Sequence, residues 1–513
     1  MFCQLQPTLG ESVIETTDVL IIGTGFAGLG MAIRLQQAGR SDFLILERAA
    51  EVGGTWRDNA YPGAACDVES FLYSFSFEPN PDWSHMFARQ GEIWAYMRGV
   101  AEKYALRPRI RFGAGVAEAR FDEATQRWDV LAEDGRRFRA RVLVTGCGGL
   151  SRPKKPEIEG LDSFTGTLFH SARWKHDDFG GKRVAVIGTG ASAIQIVPAI
   201  APEVARLFVY QRTAPWIMPR PDRPISPREK RMYRAAPGLQ RLTRNAIFWR
   251  RELYGIGMIK DTRIMALGER IAKKHLARGI ADLALREKLT PNYQMGCKRI
   301  LLSNDYYPAL CRENVELCTE GIERIVPEGI RGKDGQTRAV DAIVLATGFE
   351  AAEQLAPFDI FGRDDKRLDD LWIEGSEAYR GTTVAGFPNL FMIVGPNTGL
   401  GHGSMIYMIE AQIAYILSAL EKMRERGVHA AEVRLDVQQR YNDEIQGRLA
   451  KTVWATGGCQ SWYRTRTGKN TTLWPGFMWQ FQSMMRDFDA DAYTLEAARP
   501  DAVDSKTDAN ATT

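Results

Sequence analysis

Two short glycine-rich runs in this 513-residue chain have the residue types and spacing to hold nucleotides. Asp18-Val19-Leu20-Ile21-Ile22 runs into Gly23-Thr24-Gly25-Phe26-Ala27-Gly28, and Arg183-Val184-Ala185-Val186-Ile187 runs into Gly188-Thr189-Gly190-Ala191-Ser192-Ala193. Glycine permits a tight turn and lets the backbone approach a pyrophosphate, and the free N–H groups of the helix that follows favour the phosphates. The end of the next strand reads the nucleotide. Glu47 stands 24 residues after Gly23, behind Phe43-Leu44-Ile45-Leu46; Arg212 stands 24 residues after Gly188, behind Leu207-Phe208-Val209-Tyr210. A carboxylate accepts from free ribose hydroxyls, whereas a guanidinium suits a 2′-phosphate. The alternative for Arg212 is a surface arginine at a strand end.

Further stretches are spaced for a site. Gly53-Gly54-Thr55-Trp56 precedes Tyr61-Pro62-Gly63-Ala64-Ala65-Cys66-Asp67, a loop by its Pro and Gly content. Phe164, Gly166, His170 and Trp174 form a spaced set just upstream of the second glycine run. Cys297-Lys298-Arg299 precedes Ile300-Leu301-Leu302, and Asp341 to Phe349 contains Ala346-Thr347-Gly348. Phe387 to Asn397 leads back toward the first unit, and residues 454–480 are rich in Trp, Gly and Thr. Taken locally, Asp67 could cap a helix, and His170 reads as a buried, hydrogen-bonded linker histidine rather than a catalyst.

These stretches together resemble the Baeyer–Villiger monooxygenases, FAD- and NADPH-dependent enzymes that convert ketones to esters or lactones with O2 through a C4a-peroxyflavin. The Gly-Gly-x-Trp-x4-Tyr-Pro-Gly-x3-Asp signature matches at every fixed position, and the Phe164-to-Trp174 fingerprint carries Trp where N- and S-oxygenating flavin monooxygenases, the alternative reading, carry Tyr or Phe. Lys175 departs from the Pro or Asp that often follows. The resemblance covers Asp18 to about Phe481. It implies an α/β fold with two Rossmann-like dinucleotide-binding domains and a helical insertion. It implies FAD at Gly23, Gly25, Phe26, Ala27, Gly28, Glu47, Gly54, Thr55, Trp56, Asp67 and Asn397. NADPH falls to Gly188, Thr189, Gly190, Ala191, Ser192, Arg212, Lys298, Thr347 and Gly348, with Lys298 a second contact to the 2′-phosphate. Arg299 matches the active-site arginine, with Asp67 as its partner. Trp462 matches a mobile tryptophan of the lid, for which a core tryptophan is the competing reading.

Composition bounds the remaining possibilities. The net charge of +4 gives no reason to expect a nucleic-acid partner. No apolar run is long enough to span a membrane, and the first residues do not read as a secretion signal, so the expected location is cytoplasmic. The seven cysteines form no C-x-x-C pair and the histidines no metal-ligand spacing. The expectation is therefore free thiols, no bound metal, and no disulfide-reductase chemistry.

The elements that must position these groups read as follows. Residues 1–150 form the first part of the FAD domain, 151–220 the first part of the NADP domain, 221–295 a helical insertion, 296–384 the second NADP part, 385–498 the second FAD part with the lid, and 499–513 a disordered tail. Residues 1–17 are expected to be a loose arm. Residues 120–145 read as a β-meander with a hairpin turn at Asp134-Gly135, and Ser404 as the cap of a long helix ending before Gly427. Arg220 to Arg251 contains nine Arg and one Lys against Asp222 and Glu229, a local charge of +8. Leu239, Leu242, Ala246, Trp249 and Leu253 share one helical face. Two readings stay open for residues 220–253: a solvated basic face over a core stripe, or a weak membrane-surface contact that gathers lipophilic ketones.

Overall fold

The computed structural model describes residues 14–175, 178–350 and 358–499. Two sheets organise it, each built on one of the glycine-rich turns. In the first, strand Ile14–Ile22 lies between Phe43–Glu47 and Arg137–Thr145 and is parallel to both. Ile110–Phe112 extends one side, while Arg127–Ala132, Val116–Asp122 and Asp359–Phe361 extend the other. Leu390–Met392 adds a further parallel partner to Arg137–Thr145. The second sheet is wholly parallel, in the order Val315–Cys318, Arg206–Tyr210, Arg183–Ile187, Ala342–Leu345, Thr167–His170. The central strands are apolar without alternation because both faces are covered; Leu20, Ile21, Val184 and Val186 have essentially no solvent contact.

Helix Phe26–Gln37 leaves the first glycine turn and packs on the long helix Met405–Glu425. Their contact is close: a Cβ on Gly30 would lie 2.9 Å from the Ile413 side chain. Helix Ala193–Ile200 leaves the second turn. Four helices, Pro227–Ala235, Pro237–Ile259, Met265–Gly279 and Leu283–Lys288, form the insertion. The first starts in a capping box in which Ser226 and Glu229 satisfy each other's backbone N–H groups. The meander has its hairpin at Asp134-Gly135, where Gly135 takes φ +88°.

Several expectations need correction. Residues 14–17 are not a loose arm: they pair with Arg137–Ala140 as the start of the central strand. Residues 1–13 and 500–513, including Cys3 and most of the expected tail, lie outside the described residues. Arg499 is tied down, its backbone N–H donating to Gln126 Oε1. The chain returns to the first sheet before residue 385, through Asp359–Phe361. Ser404 holds the N-cap position of Met405–Glu425, but its hydroxyl donates to the Leu72 carbonyl instead of capping the helix. The stripe Leu239, Leu242, Trp249, Leu253 is not a core stripe. It faces solvent, and the buried face of that helix holds Ile247, Phe248, Glu252, Met258 and Ile259.

The thiols also differ from expectation. Cys297 and Cys459, 162 residues apart in sequence, are joined in a disulfide, while Cys66, Cys147, Cys311 and Cys318 are free. Local spacing cannot reveal this pair. It forms because the turn at 294–297 packs on the segment after helix Val453–Thr456, where Gln294 N–H donates to the Gly457 carbonyl at 3.0 Å. Gly457 leaves room for it, since a Cβ there would stand 2.7 Å from the Cβ of Cys297. These two are therefore not the free thiols that cysteine usage suggests. Among the described residues no helix is long and apolar enough to cross a membrane.

Candidate active site

The first glycine turn is a cradle shaped by sterics. A Cβ on Gly28 would stand 1.8 Å from the Gly23 carbonyl oxygen, so only glycine lets the helix start this close to the strand. At Gly25, by contrast, a Cβ would meet nothing within 4 Å: the turn opens onto free space at the start of the helix. Phe26 and Ala27 begin that helix with their side chains in the core. Glu47 is buried at the end of its strand, where it accepts from Thr24 N–H at 3.0 Å and from Arg57 at 3.0 Å. Gly54, at φ +49°, packs on Gly25 and brings Thr55 and Trp56 beside the turn. The Trp56 indole N–H donates to the Tyr73 hydroxyl at 3.1 Å. Asn397 donates through Nδ2 to the carbonyls of Asn470 and Leu473, yet its buried Oδ1 has no partner. An open cradle, a carboxylate at the strand end and an orphaned amide oxygen fit a dinucleotide.

The second turn repeats this plan. Gly188 takes φ +118°, and a Cβ there would stand 2.4 Å from the Ala346 carbonyl oxygen. Gly190 is open, and Ala191 and Ser192 lead into the helix. Thr189 is buried, its hydroxyl donating to the Thr213 carbonyl at 3.2 Å. Arg212 is exposed just beyond the end of its strand. Burial lowers the Lys298 pKa, and the charge of Arg212 lowers it further, so the two cations converge. Neither has a carboxylate partner among the described residues. Two cations held together without an anion suit a phosphate. Thr347 donates to the Lys154 carbonyl, and Gly348, at φ +82°, continues the strand end facing this turn.

The loop between the two turns bridges them. Gln195, on the helix from the second turn, accepts from Tyr61 O–H and Ala65 N–H and donates to the Ala65 carbonyl at 3.0 Å. A Cβ on Gly63 would stand 2.6 Å from the Gln195 carbonyl oxygen, so the loop lies directly on that helix. Asp67 follows. It accepts from Arg299 Nε at 2.8 Å and Nη2 at 2.7 Å, a bidentate pair. About a third of the Arg299 side chain and a quarter of Asp67 stay exposed. The Asp67 carboxylate raises the Arg299 pKa still higher, with burial opposing it. Burial pushes Asp67 up, but Arg299, by charge and hydrogen bonds, and then Arg251 outweigh it and hold Asp67 below its ordinary value. Both groups are charged at any working pH.

Four arginines hold this loop. Besides Arg299, Arg220 donates to the Cys66 carbonyl, Arg251 to the Asp67 carbonyl at 2.9 Å, and Arg250 and Arg251 both to the buried Glu69. No motif marks Glu69, Arg251, Gln195 or Tyr463 in the sequence. The signal for Tyr463 was its place in the aromatic run beside Trp462. It is buried beside the pair, its pKa is pushed up to about 12 by burial, and its ring packs 4.4 Å from that of Trp462. Trp462 is 46% exposed, so it is not a core tryptophan.

The spaced set upstream of the second turn serves as a linker. A Cβ on Gly166 would stand 2.5 Å from the Asp341 carbonyl oxygen and against the Phe164 ring. His170 is buried; its Nδ1 accepts from Ala172 N–H at 3.1 Å and its Nε2 lies 3.0 Å from the Gly348 carbonyl. That fixes one neutral tautomer and couples the linker to the strand end at Thr347-Gly348. Trp174 packs edge-on to Phe169 and Phe179.

Two nucleotide turns linked by a loop that carries one half of a bidentate arginine–carboxylate pair mark a flavin-dependent monooxygenase using a nicotinamide cofactor. Residues 16–234 match the flavin-binding monooxygenase-like family. A Baeyer–Villiger monooxygenase of Pseudomonas aeruginosa is 52% identical over 96% of this chain and 93% of its own length. One of Streptomyces coelicolor is 46% identical over 97% of this chain and 96% of its own. The structure of OTEMO in complex with FAD and NADP superposes with a TM-score of 0.84 at 28% identity, covering 94% of this chain and 100% of the other. The chain belongs to the Baeyer–Villiger monooxygenases.

Proposed function

We propose how the residues of this chain carry out the reaction of its family, the insertion of one oxygen atom from O2 beside a ketone carbonyl to give an ester or lactone. The enzyme is an NADPH-dependent flavoprotein monooxygenase, and its flavin is FAD. FAD supplies the activation of O2 and NADPH the reducing equivalents; the protein supplies binding, orientation and electrostatics.

Gly23, Gly25, Phe26, Ala27 and Gly28 receive the pyrophosphate of FAD and Glu47 its ribose, with Gly54, Thr55, Trp56 and Asn397 alongside. Gly188, Thr189, Gly190, Ala191 and Ser192 receive that of NADPH. Arg212 and Lys298 clasp its 2′-phosphate, and Thr347 and Gly348 line the same strand end. FAD thus falls to residues 1–150 and 359–498, and NADPH to 151–220 and 296–350. Arg299 is the catalytic cation. It cannot give up its proton, so it acts as a fixed positive charge that favours an anionic oxygen. Asp67 engages Nε and Nη2, sets the plane of the guanidinium and offsets the cost of placing it there. Trp462 and Tyr463 form the aromatic wall of the lid.

The observation that carries this reading is the bidentate Asp67–Arg299 pair on the loop that joins the two nucleotide turns. The test is a panel of cyclic, aryl-alkyl and linear ketones with NADPH, products being weighed by mass spectrometry. Ester or lactone one oxygen heavier than the ketone supports it. Oxidation of amine and sulfide probes with no ester from any ketone would favour an N- or S-oxygenating enzyme.

A further inference from the structure

The exposed stripe on the insertion is a feature that the reaction does not use. Helix Pro237–Ile259 presents Leu239, Leu242, Ala246, Trp249 and Leu253 at alternating intervals of three and four residues. Leu242 is 63% exposed, Trp249 57% and Leu253 64%. The stripe does not stop at the helix end. Ile264 packs over Gly257, one turn beyond Leu253, and Leu267 and Ile271 carry the apolar face onto helix Met265–Gly279, all three exposed. An apolar strip of this length on the outside of a protein marks a docking face.

Cations accompany it. At 100° per residue, Arg270, Lys274 and Arg278 fall on the same face as Leu267 and Ile271, and Arg241 flanks the stripe on the first helix. All four are exposed and have no carboxylate partner among the described residues. Other arginines of the insertion are drawn elsewhere, Arg223 to Glu229, Arg234 to Asp82, Arg244 to Glu410 and both Arg250 and Arg251 to Glu69.

We propose that this face seats the enzyme on an anionic lipid surface. The combination of groups decides between occupants. A second copy docking through the same patch would bring like cations together across the twofold axis. A neutral hydrophobic partner would leave them desolvated and unpaired. An anionic bilayer interface takes both sets: leucine, isoleucine and tryptophan enter the headgroup boundary, while arginine and lysine extend to the phosphates. The opposite side of the same helix reaches the site, where Glu252 accepts from Met478 N–H and Arg251 from the insertion donates to the Asp67 carbonyl. Docking therefore places the Asp67 loop about one helix diameter, roughly 10 Å, from the lipid.

The test is flotation of the FAD-loaded enzyme with two kinds of vesicle, phosphatidylglycerol mixed with phosphatidylcholine and phosphatidylcholine alone, at low ionic strength. Two variants accompany the wild type: Leu242→Ser with Trp249→Ser and Leu253→Ser, and Arg270→Gln with Lys274→Gln and Arg278→Gln. These side chains lie on the surface, so both variants should keep the wild-type circular dichroism and turnover of a water-soluble ketone. The expected result is co-flotation with anionic vesicles only, reversed by salt, and weakened at least tenfold in each variant. A blue shift of Trp249 fluorescence on binding, absent in the serine variant, would support the same geometry. Failure to float with anionic vesicles would overturn the proposal, as would equal flotation of wild type and variants. A wild-type dimer that the serine variant converts to monomer would assign the face to a second copy instead.

Discussion

Replacing Arg299 by alanine tests the central electrostatic argument. The substitution removes the two hydrogen bonds to Asp67, at 2.8 and 2.7 Å, and leaves that carboxylate without its main partner. A charge-assisted bond contributes about 1.5–3 kcal/mol in a dry setting, but this pair keeps a third and a quarter of its side chains in water. Solvent screening lowers the stability loss to about 1–2 kcal/mol, and Arg251 still braces the Asp67 carbonyl. The variant should fold, bind FAD and be reduced by NADPH. Its effect on oxygenation should be larger than on stability, because a preorganised charge matters most where negative charge develops. Losing one such partner costs roughly 10²–10³ in rate. The assay follows NADPH oxidation, O2 uptake, hydrogen peroxide and ester in parallel. We expect NADPH consumption to persist, oxygen to leave as hydrogen peroxide, and ester to fall at least ~10²-fold. Asp67→Ala should move in the same direction, and the double variant should be no worse than Arg299→Ala alone, since both act through one pair. Wild-type ester formation by Arg299→Ala would refute the reasoning.

Other predictions rest on separate observations. Arg212→Ala should lower kcat/KM for NADPH by about tenfold to a hundredfold, the equivalent of one lost phosphate contact, and leave NADH almost unchanged; equal losses with both cofactors would remove Arg212 from the 2′-phosphate site. Cys459→Ser breaks a cross-link that closes 162 residues of chain and should destabilise the protein by about 2–5 kcal/mol, measured by denaturant unfolding. Thiol titration of the wild type before and after a dithiol reductant should reveal two additional thiols, and no increase would contradict the bond. Burial, with help from Arg173, lowers the His170 pKa. A neutral His170 therefore stabilises the fold fully above its ordinary pKa, about 6.5, and this contribution is lost as pH falls through the folded value. The melting temperature should drop on acidification below about pH 6.5, and the drop should be smaller in His170→Gln; identical profiles would show that the histidine is not linked to stability.

The sequence by itself determined the parts that depend on near neighbours. A strand, a glycine turn and a helix are local, so Gly23 to Gly28 and Gly188 to Ala193 could be placed, and Glu47 and Arg212 follow because a strand of known rise ends at a known distance. The tertiary structure decided what depends on distant residues meeting. Periodicity put Leu242, Trp249 and Leu253 on one face, but only packing shows that this face is bare, since the insertion turns Ile247, Phe248 and Met258 inward. Cys297 and Cys459 carry no spacing signal, and their bond exists because one turn lies on another. Gln195 and Arg251 belong to no motif; they matter because they clamp the loop of Asp67 from other elements, Arg251 through Glu69 on that loop and the Asp67 carbonyl. Asp67 and Arg299 stood in the sequence as two residues 232 positions apart. Their bidentate geometry arises because the loop of Asp67 meets the segment leading into strand Leu301–Leu302, a contact that no local rule of propensity, period or turn chemistry specifies.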